Sequence, residues 1–182
     1  MMSKLNYTIE KILITNEQIN EAAIKAANWI NQTYKDDEII LVGILKGCIP
    51  FIGKIIDKIE CEMILDFMTL SSFKGETKSQ GTPKIVMDLA YDVMDKNVLL
   101  VEDIIDSGNT IKIVLDLLKQ RGAKSVRLLT FLDKPSGREV DVKADYVCFE
   151  VPHGFLVGFG LDYKDKLRNL PYVAHMVSND KK

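Results

Sequence analysis

Cysteine is scarce in this chain of 182 residues: Cys48, Cys61 and Cys148 are widely spaced and odd in number. That argues against a disulfide framework and for reduced thiols in a cytoplasmic protein. Histidine is scarcer still. With only His153 and His175, and neither CxxC nor HExxH, a zinc site built from protein ligands has nothing to stand on, so any metal must be a hard, oxygen-seeking cation. No segment approaches the ~18 apolar residues of a membrane span, and the opening "MMSKLNYTIEKILIT" lacks the apolar stretch of a signal peptide. Positive charge is not in excess: a net charge of −2 and a pI near 5.7 argue against broad binding to nucleic acid or to anionic membrane. Neither GxxxxGK[ST] nor GxGxxG occurs, which disfavours triphosphate and dinucleotide sites. A compact ligand is left.

What is there has the composition of one globular domain, 47% hydrophobic and 27% charged, with no internal repeat and no dividing linker. Thr15 and Gln18 form a capping-box signature, and Ile19, Ala22, Ala23, Ala26 and Ile30 recur on one face of the helix that follows. "IILVGIL" reads as a fully buried strand and "PFIGKIIDKI" as a helix with Pro50 in its first turn. "CEMILDFMTL" is a further strand, and residues 71–82, polar and without periodicity, predict a mobile loop before "PKIVMDL" becomes extended again. "NVLLVED" predicts a strand, "TIKIVLDLLKQRG" a helix closed by Gly122, and "SVRLLTFL" the next strand. "ADYVCFEV" and "FLVGFGLDY" predict two more strands, and "KDKLRNL" a short helix. The alternation makes the fold class α/β, with a central, mainly parallel sheet flanked by helices.

One stretch does not fit a purely structural account. "VLLVEDIIDSGNTI" places Glu102, Asp103 and Asp106 together at the end of a strand, although like charges repel, and follows them with small residues. In open parallel sheets ligands bind beyond the carboxyl ends of the strands. At the helix start, Ser107, Gly108, Asn109 and Thr110 offer backbone N–H groups and a favourable dipole to a phosphate. Acidic side chains repel phosphate, but they suit the vicinal hydroxyls of a ribose or a Mg²⁺ held on it. A sugar phosphate accounts for both halves of the motif; helix capping accounts for one.

The same stretch resembles the 5-phosphoribosyl-1-pyrophosphate (PRPP) binding motif of type I phosphoribosyltransferases. "LVGILKG", "LDFMTLSSF", "FLDKPSGR" and "VGFGLDY" followed by "LRNLPYV" are similar, in order and spacing, to the bacterial hypoxanthine (hypoxanthine-guanine) branch of that family, over roughly residues 5–175. The resemblance implies a type I phosphoribosyltransferase fold spanning residues 1–182, with a small hood formed by the chain-terminal segments. It implies purine salvage: Mg²⁺-dependent transfer of 5-phosphoribosyl from PRPP to N9 of hypoxanthine, and of guanine, giving IMP or GMP and pyrophosphate. The implied assembly is a homodimer or homotetramer, with no nucleic-acid or membrane partner.

By position, the resemblance gives Glu102 and Asp103 the ribose hydroxyls and Mg²⁺, Ser107 to Thr110 the 5′-phosphate, and Asp106 the proton at purine N7, against a reading of Asp106 as a helix cap. Leu45, Lys46 and Gly47 match a pyrophosphate loop whose peptide before the lysine is often cis. Arg168 matches a pyrophosphate ligand, and Ser72 and Phe73 the closing loop. Asp162 matches a carboxylate near a second Mg²⁺ and the pyrophosphate, at the margin of the purine site. Lys134 matches the donor to the 6-oxo group, Phe155 the ring stacked on the purine, Leu156 the backbone that reads its Watson–Crick edge, and Arg138 a residue that positions the lysine region or the pyrophosphate. The chain departs from the family at Cys48, where a second glycine is usual, at Phe73 and Phe159, where tyrosine is frequent, and at His153, where an acid is usual. Two rivals remain: a nucleic-acid-binding regulator that keeps the PRPP motif, which would want a basic face, and an enzyme preferring xanthine or guanine.

Overall fold

The computed structural model of the chain describes residues 7–71 and 84–178. The predicted loop at 71–82, including Ser72 and Phe73, lies outside these residues apart from Ser71, whose N–H donates to the carbonyl of Lys84 (2.9 Å).

Six strands form the main sheet. They are β2 (Ile39–Ile44), β3 (Met63–Leu70), β4 (Ile85–Met87), β5 (Asn97–Ile105), β6 (Ser125–Asp133) and β7 (Tyr146–Glu150), in the order β4-β3-β2-β5-β6-β7. Every pairing is parallel except that of β4 with β3. Strand β2 is buried along its whole length, as expected of a central strand covered on both faces. Alternate side chains serve two cores. Leu41, Leu99, Val101 and Leu129 pack under α1 (Asn16–Tyr34) and α2 (Ile49–Ile55), whereas Ile40, Val42, Val98, Leu100 and Leu128 pack under α3 (Asn109–Gln120). Each fully buried aliphatic of this kind stabilises the fold by about 1.5–3 kcal/mol. The capping box on α1 is present in both directions, Gln18 N–H to Thr15 Oγ1 (3.4 Å) and Thr15 N–H to Gln18 Oε1 (2.9 Å). Gly122 follows α3 at φ 79°, its N–H donating to Lys119 (3.0 Å).

A second, antiparallel sheet has the order β1-β9-β8. It joins β1 (Tyr7–Ile14), β9 (Val173–Ser178) and β8 (Leu156–Val157). The sequence reading assigned neither β1 nor β9, because their partners lie at the other end of the chain. It also expected "FLVGFGLDY" to run on as a strand and "KDKLRNL" to be a helix, and both expectations fail. Gly158 and Leu161 exchange backbone hydrogen bonds (both 3.1 Å) across a turn at Phe159 (φ 44°) and Gly160 (φ 99°). Tyr163 and Lys166 do the same (3.0 and 3.1 Å) across Lys164 (φ 51°) and Asp165 (φ 61°). Two successive residues at positive φ suit a two-residue hairpin turn and forbid an α-helix. Helix α2 is shorter than expected, giving way to a 3₁₀ turn over Ile56–Lys58.

Candidate active site

The carboxyl ends of the parallel strands gather most of the residues singled out in the sequence. At the end of β5, Glu102 and Asp103 sit side by side and half-buried. Glu102 Oε2 is sealed from solvent and has no hydrogen-bond partner within the protein. Burial, followed by the neighbouring Asp103 charge, raises the Glu102 carboxyl well above the usual carboxylate range. Burial lifts Asp103 to about 6, although the N–H of Ile104 (2.9 Å) and the positive charge of Arg168 pull the other way. Beneath them Cys48 is fully buried; burial first, and then these two acids, push its thiol up to about 12, so it is a packing residue.

The Leu45–Lys46 peptide is cis, matching the expectation for the loop after β2. Gly47 fits because it has no side chain: a Cβ there would lie 1.6 Å from Asp103 Oδ2. The same loop meets the 158–161 turn, since a Cβ on Gly160 would lie 2.0 Å from the carbonyl oxygen of Gly47. Arg168 fastens that turn, donating through Nη1 to Gly160 O (2.7 Å) and pairing through Nη2 with Asp162 Oδ1 (2.7 Å). Its helical placement in the sequence reading was wrong, yet its position at the site follows from the turn.

Asp106 is exposed and pairs with Lys134 (Nζ to Oδ2, 2.5 Å). It does not cap α3: Gly108 occupies the N-cap at φ 84°, and it is Ser107 Oγ that accepts from the first helical N–H, that of Asn109 (3.4 Å). The start of α3 therefore has one long side-chain contact and no capping box, where α1 has a complete one. Ser107, Gly108 and Thr110 line a cavity of about 150 Å³ there, with Glu102 and Asp106 on its rim. A second cavity, of about 220 Å³, is lined by Asp103, Asp106, Lys134, Phe155, Leu156, Asp162 and Arg168. Asp106 and Ile104 belong to both, so the two cavities adjoin. Phe155 is half-exposed (49%) and meets Tyr163 edge-on (5.7 Å between centroids).

Two supports were not foreseen in full. Arg138 donates to the carbonyls of Asp106 (3.2 Å), Ile105 (3.4 Å) and Val142 (2.6 Å) and pairs with Asp133, tying the ends of β5 and β6 together behind Asp106. Asn109 donates through Nδ2 to Glu139 (2.6 Å), a residue no sequence signal marked.

Among the described residues no three His, Cys, Asp or Glu side chains converge as a metal cage; Asp162 is paired with Arg168 and does not join Glu102 and Asp103 in one cluster. The adjacent carboxylates of Glu102 and Asp103, one oxygen buried without a partner, nevertheless suit Mg²⁺. That ion takes one or two carboxylates and completes its octahedron with water and substrate oxygens.

A parallel sheet with an acidic pair, a glycine-capped helix start and a cis-peptide loop at one edge defines a class, and comparison with known proteins names it. The sequence profile of the phosphoribosyl transferase domain matches residues 11–164, and the chain belongs to that family. Its relatives include the hypoxanthine-guanine phosphoribosyltransferase of Mycoplasma genitalium, 48% identical over 91% of this chain and 95% of that protein. The enzyme of the same name from Bacillus subtilis is 43% identical over 93% and 94%. A crystal structure of a hypoxanthine phosphoribosyltransferase from Staphylococcus aureus superposes with a TM-score of 0.88 at 37% identity, covering 93% of this chain and 92% of that one.

Proposed function

We propose that the protein is a purine-salvage enzyme transferring the 5-phosphoribosyl group of PRPP to N9 of hypoxanthine, and of guanine, with release of pyrophosphate. The observation that carries this is the Lys134–Asp106 pair, whose Asp106 lines both the larger cavity and the one at the start of α3. Purine O6 and N7 are neighbours on one edge of the ring. An ammonium can only donate, so Lys134 suits the 6-oxo group and rejects the 6-amino group of adenine. Asp106 then faces N7, where managing a proton makes N9 of the same ring the better nucleophile. Phe155 offers the stacking face and the backbone of Leu156 the Watson–Crick contacts.

The α3 start, with Ser107 to Thr110, holds the 5′-phosphate, and Glu102 and Asp103 accept from the ribose hydroxyls. Lys46, the amides of the Leu45–Gly47 loop and Arg168 face the departing pyrophosphate, stabilising charge that develops as the glycosidic bond lengthens towards an oxocarbenium-like state. Glu102 and Asp103, with Asp162 near a second ion, are the residues that would hold Mg²⁺, which when bound neutralises pyrophosphate charge. No helix among the described residues is long and apolar enough to cross a membrane. The reading is of a cytoplasmic enzyme of small-molecule substrates that assembles as a homodimer or homotetramer.

Steady-state assays with hypoxanthine, guanine, xanthine and adenine, each with PRPP and Mg²⁺, test the reading. Hypoxanthine and guanine should turn over and adenine should not; failure to use hypoxanthine would overturn it. Lys134→Ala should weaken kcat/KM for hypoxanthine by about 2–5 kcal/mol while PRPP binding stays nearly intact, the range for truncating one partner of a buried charged hydrogen bond.

A further inference from the structure

The purine-facing segment Gly154–Leu156 rests on a feature that the proposed chemistry does not use. Gly154 (φ 147°) has no side chain, and an imidazole fills the space: a Cβ built there would lie 2.2 Å from Nε2 and 2.4 Å from Cδ2 of His175. His175 is the register partner of Leu156 in the β8–β9 pairing and of Lys11 in the β1–β9 pairing, so it lies in the middle strand of the small sheet. The N–H of the next residue, Met176, donates to the carbonyl of Phe155 (2.9 Å). On the other side of the ring, Nδ1 lies 2.7 Å from Oε2 of Glu10 in β1. A carboxylate only accepts, so Nδ1 carries the proton and Nε2 is the atom turned to Gly154. The imidazole is thereby held in one orientation, with Glu10 at one nitrogen and the backbone of Gly154 at the other.

We infer that His175, oriented by Glu10, is a positioning residue for the purine subsite. It fixes how far the Gly154–Leu156 backbone stands over the cavity and so sets the fit of the base beneath Phe155. Neither side chain lines the cavity itself. Its effect must pass through the backbone of Gly154 and Phe155, on the wall that carries the proposed stacking ring, whereas the residues proposed for the ribose and 5′-phosphate lie on β5 and around the start of α3. The inference rests on the reading of that cavity as the purine subsite.

The test compares wild type with His175→Val, His175→Asn and Glu10→Gln, each measured for kcat and for KM of both substrates. Valine suits a strand but leaves Gly154 unsupported, so His175→Val should raise the hypoxanthine KM about fivefold or more, with the PRPP KM and kcat within about twofold. Asparagine puts an amide N–H near the place of Nδ1 and keeps the tie to Glu10, so His175→Asn should fall between valine and wild type. Glu10→Gln alters a carboxylate that is 51% exposed and should shift the hypoxanthine KM in the same direction by less, which keeps the test open should His175→Val fail to fold. Equal rises in both KM values, or an unchanged hypoxanthine KM in every folded variant, would overturn the inference. Wild-type turnover of hypoxanthine separates this from the functional reading. If wild type does not use hypoxanthine, the purine-positioning role falls with that reading, and the His175–Glu10 contact alone is then judged by long-range ¹⁵N–¹H spectra of the ring. An Nδ1 signal indifferent to Glu10→Gln would remove the contact as well.

Discussion

Asp106 shows how one carboxylate is given a task by its neighbours. It pairs through Oδ2 with Lys134, its Oδ1 lies against Gly137, where a Cβ would come within 1.7 Å, and it lines both cavities, where the proposed base and sugar phosphate meet. Asp106→Asn keeps the size and one acceptor, so PRPP affinity should change little while kcat falls by about 10²-fold or more, the range general acid–base catalysis supplies. A kcat within a few-fold of wild type in a pre-steady-state and steady-state comparison would remove Asp106 from the chemistry. Glu102 and Asp103 carry the opposite lesson, because they cost stability where they stand. Burial lifts Asp103 from the ordinary value of 3.8 to about 6 and raises Glu102 as well. Between those values the folded chain holds a proton that the unfolded chain has released. Stability without divalent cation should therefore fall as pH rises from about 4 through about 6. Thermal melts of Glu102→Gln and Asp103→Asn at neutral pH should lie higher than wild type by roughly 2–5 °C, with a flatter pH dependence, while transferase activity is lost. These acids were legible in the sequence as an unexplained cluster; that one oxygen of Glu102 has no protein partner was not, because satisfaction depends on atoms contributed by distant segments.

At the scale of elements, the strands and helices of the main sheet followed from hydrophobic runs, a capping box and a closing glycine, all of them local signals. The region from Phe155 to Leu170 did not. "KDKLRNL" has helical composition, yet the chain spends its residues on a tight hairpin whose turn places Arg168 on the carbonyl of Gly160 and on Asp162. Tertiary contacts with the Gly47 loop decide this against local propensity. The fit between that loop and β5 gives a prediction. Gly47→Ala would set a methyl on the Asp103 carboxylate, 1.6 Å from Oδ2, and one of the two must move. Since Asp103 belongs to the proposed ribose and Mg²⁺ site, the PRPP KM should rise at least tenfold with the hypoxanthine KM little changed, measured by varying each substrate at saturation of the other. An unchanged PRPP KM would show that the loop yields instead and that Asp103 keeps its place.

Across the whole molecule, the small sheet closes the chain on itself. Strand β1 pairs with β9, which alone holds the two residues of β8 and, through Met176, the carbonyl of Phe155. Removing residues 1–14 would expose one edge of β9 and withdraw Glu10 from His175, but of β1 only Ile14, with Leu13 packed beside it, belongs to the core under α1 and α2, so the main sheet keeps most of that core. Such a truncation should retain a cooperative melt and the far-ultraviolet signature of the main sheet. Its kcat/KM for hypoxanthine should fall by about 10-fold or more, as expected when an element that orders a binding segment is lost. Full activity in the truncated chain would show that β1 does not support the base side of the site.

By itself the sequence determined the α/β class, the order of the main-sheet elements along the chain, and the acidic and small-residue cluster of the proposed phosphate end, because each is written in a contiguous stretch whose periodicity, capping residues or charge cluster has a local cause. Only the tertiary structure decided that the two ends of the chain form one sheet, that residues 158–170 fold as turns, and that Lys134 stands against Asp106 while His175 fills the space beside Gly154. The physical reason is range. Strand pairing, ion pairing and close packing between segments tens of residues apart depend on which surfaces the core brings together, and no local propensity records that choice.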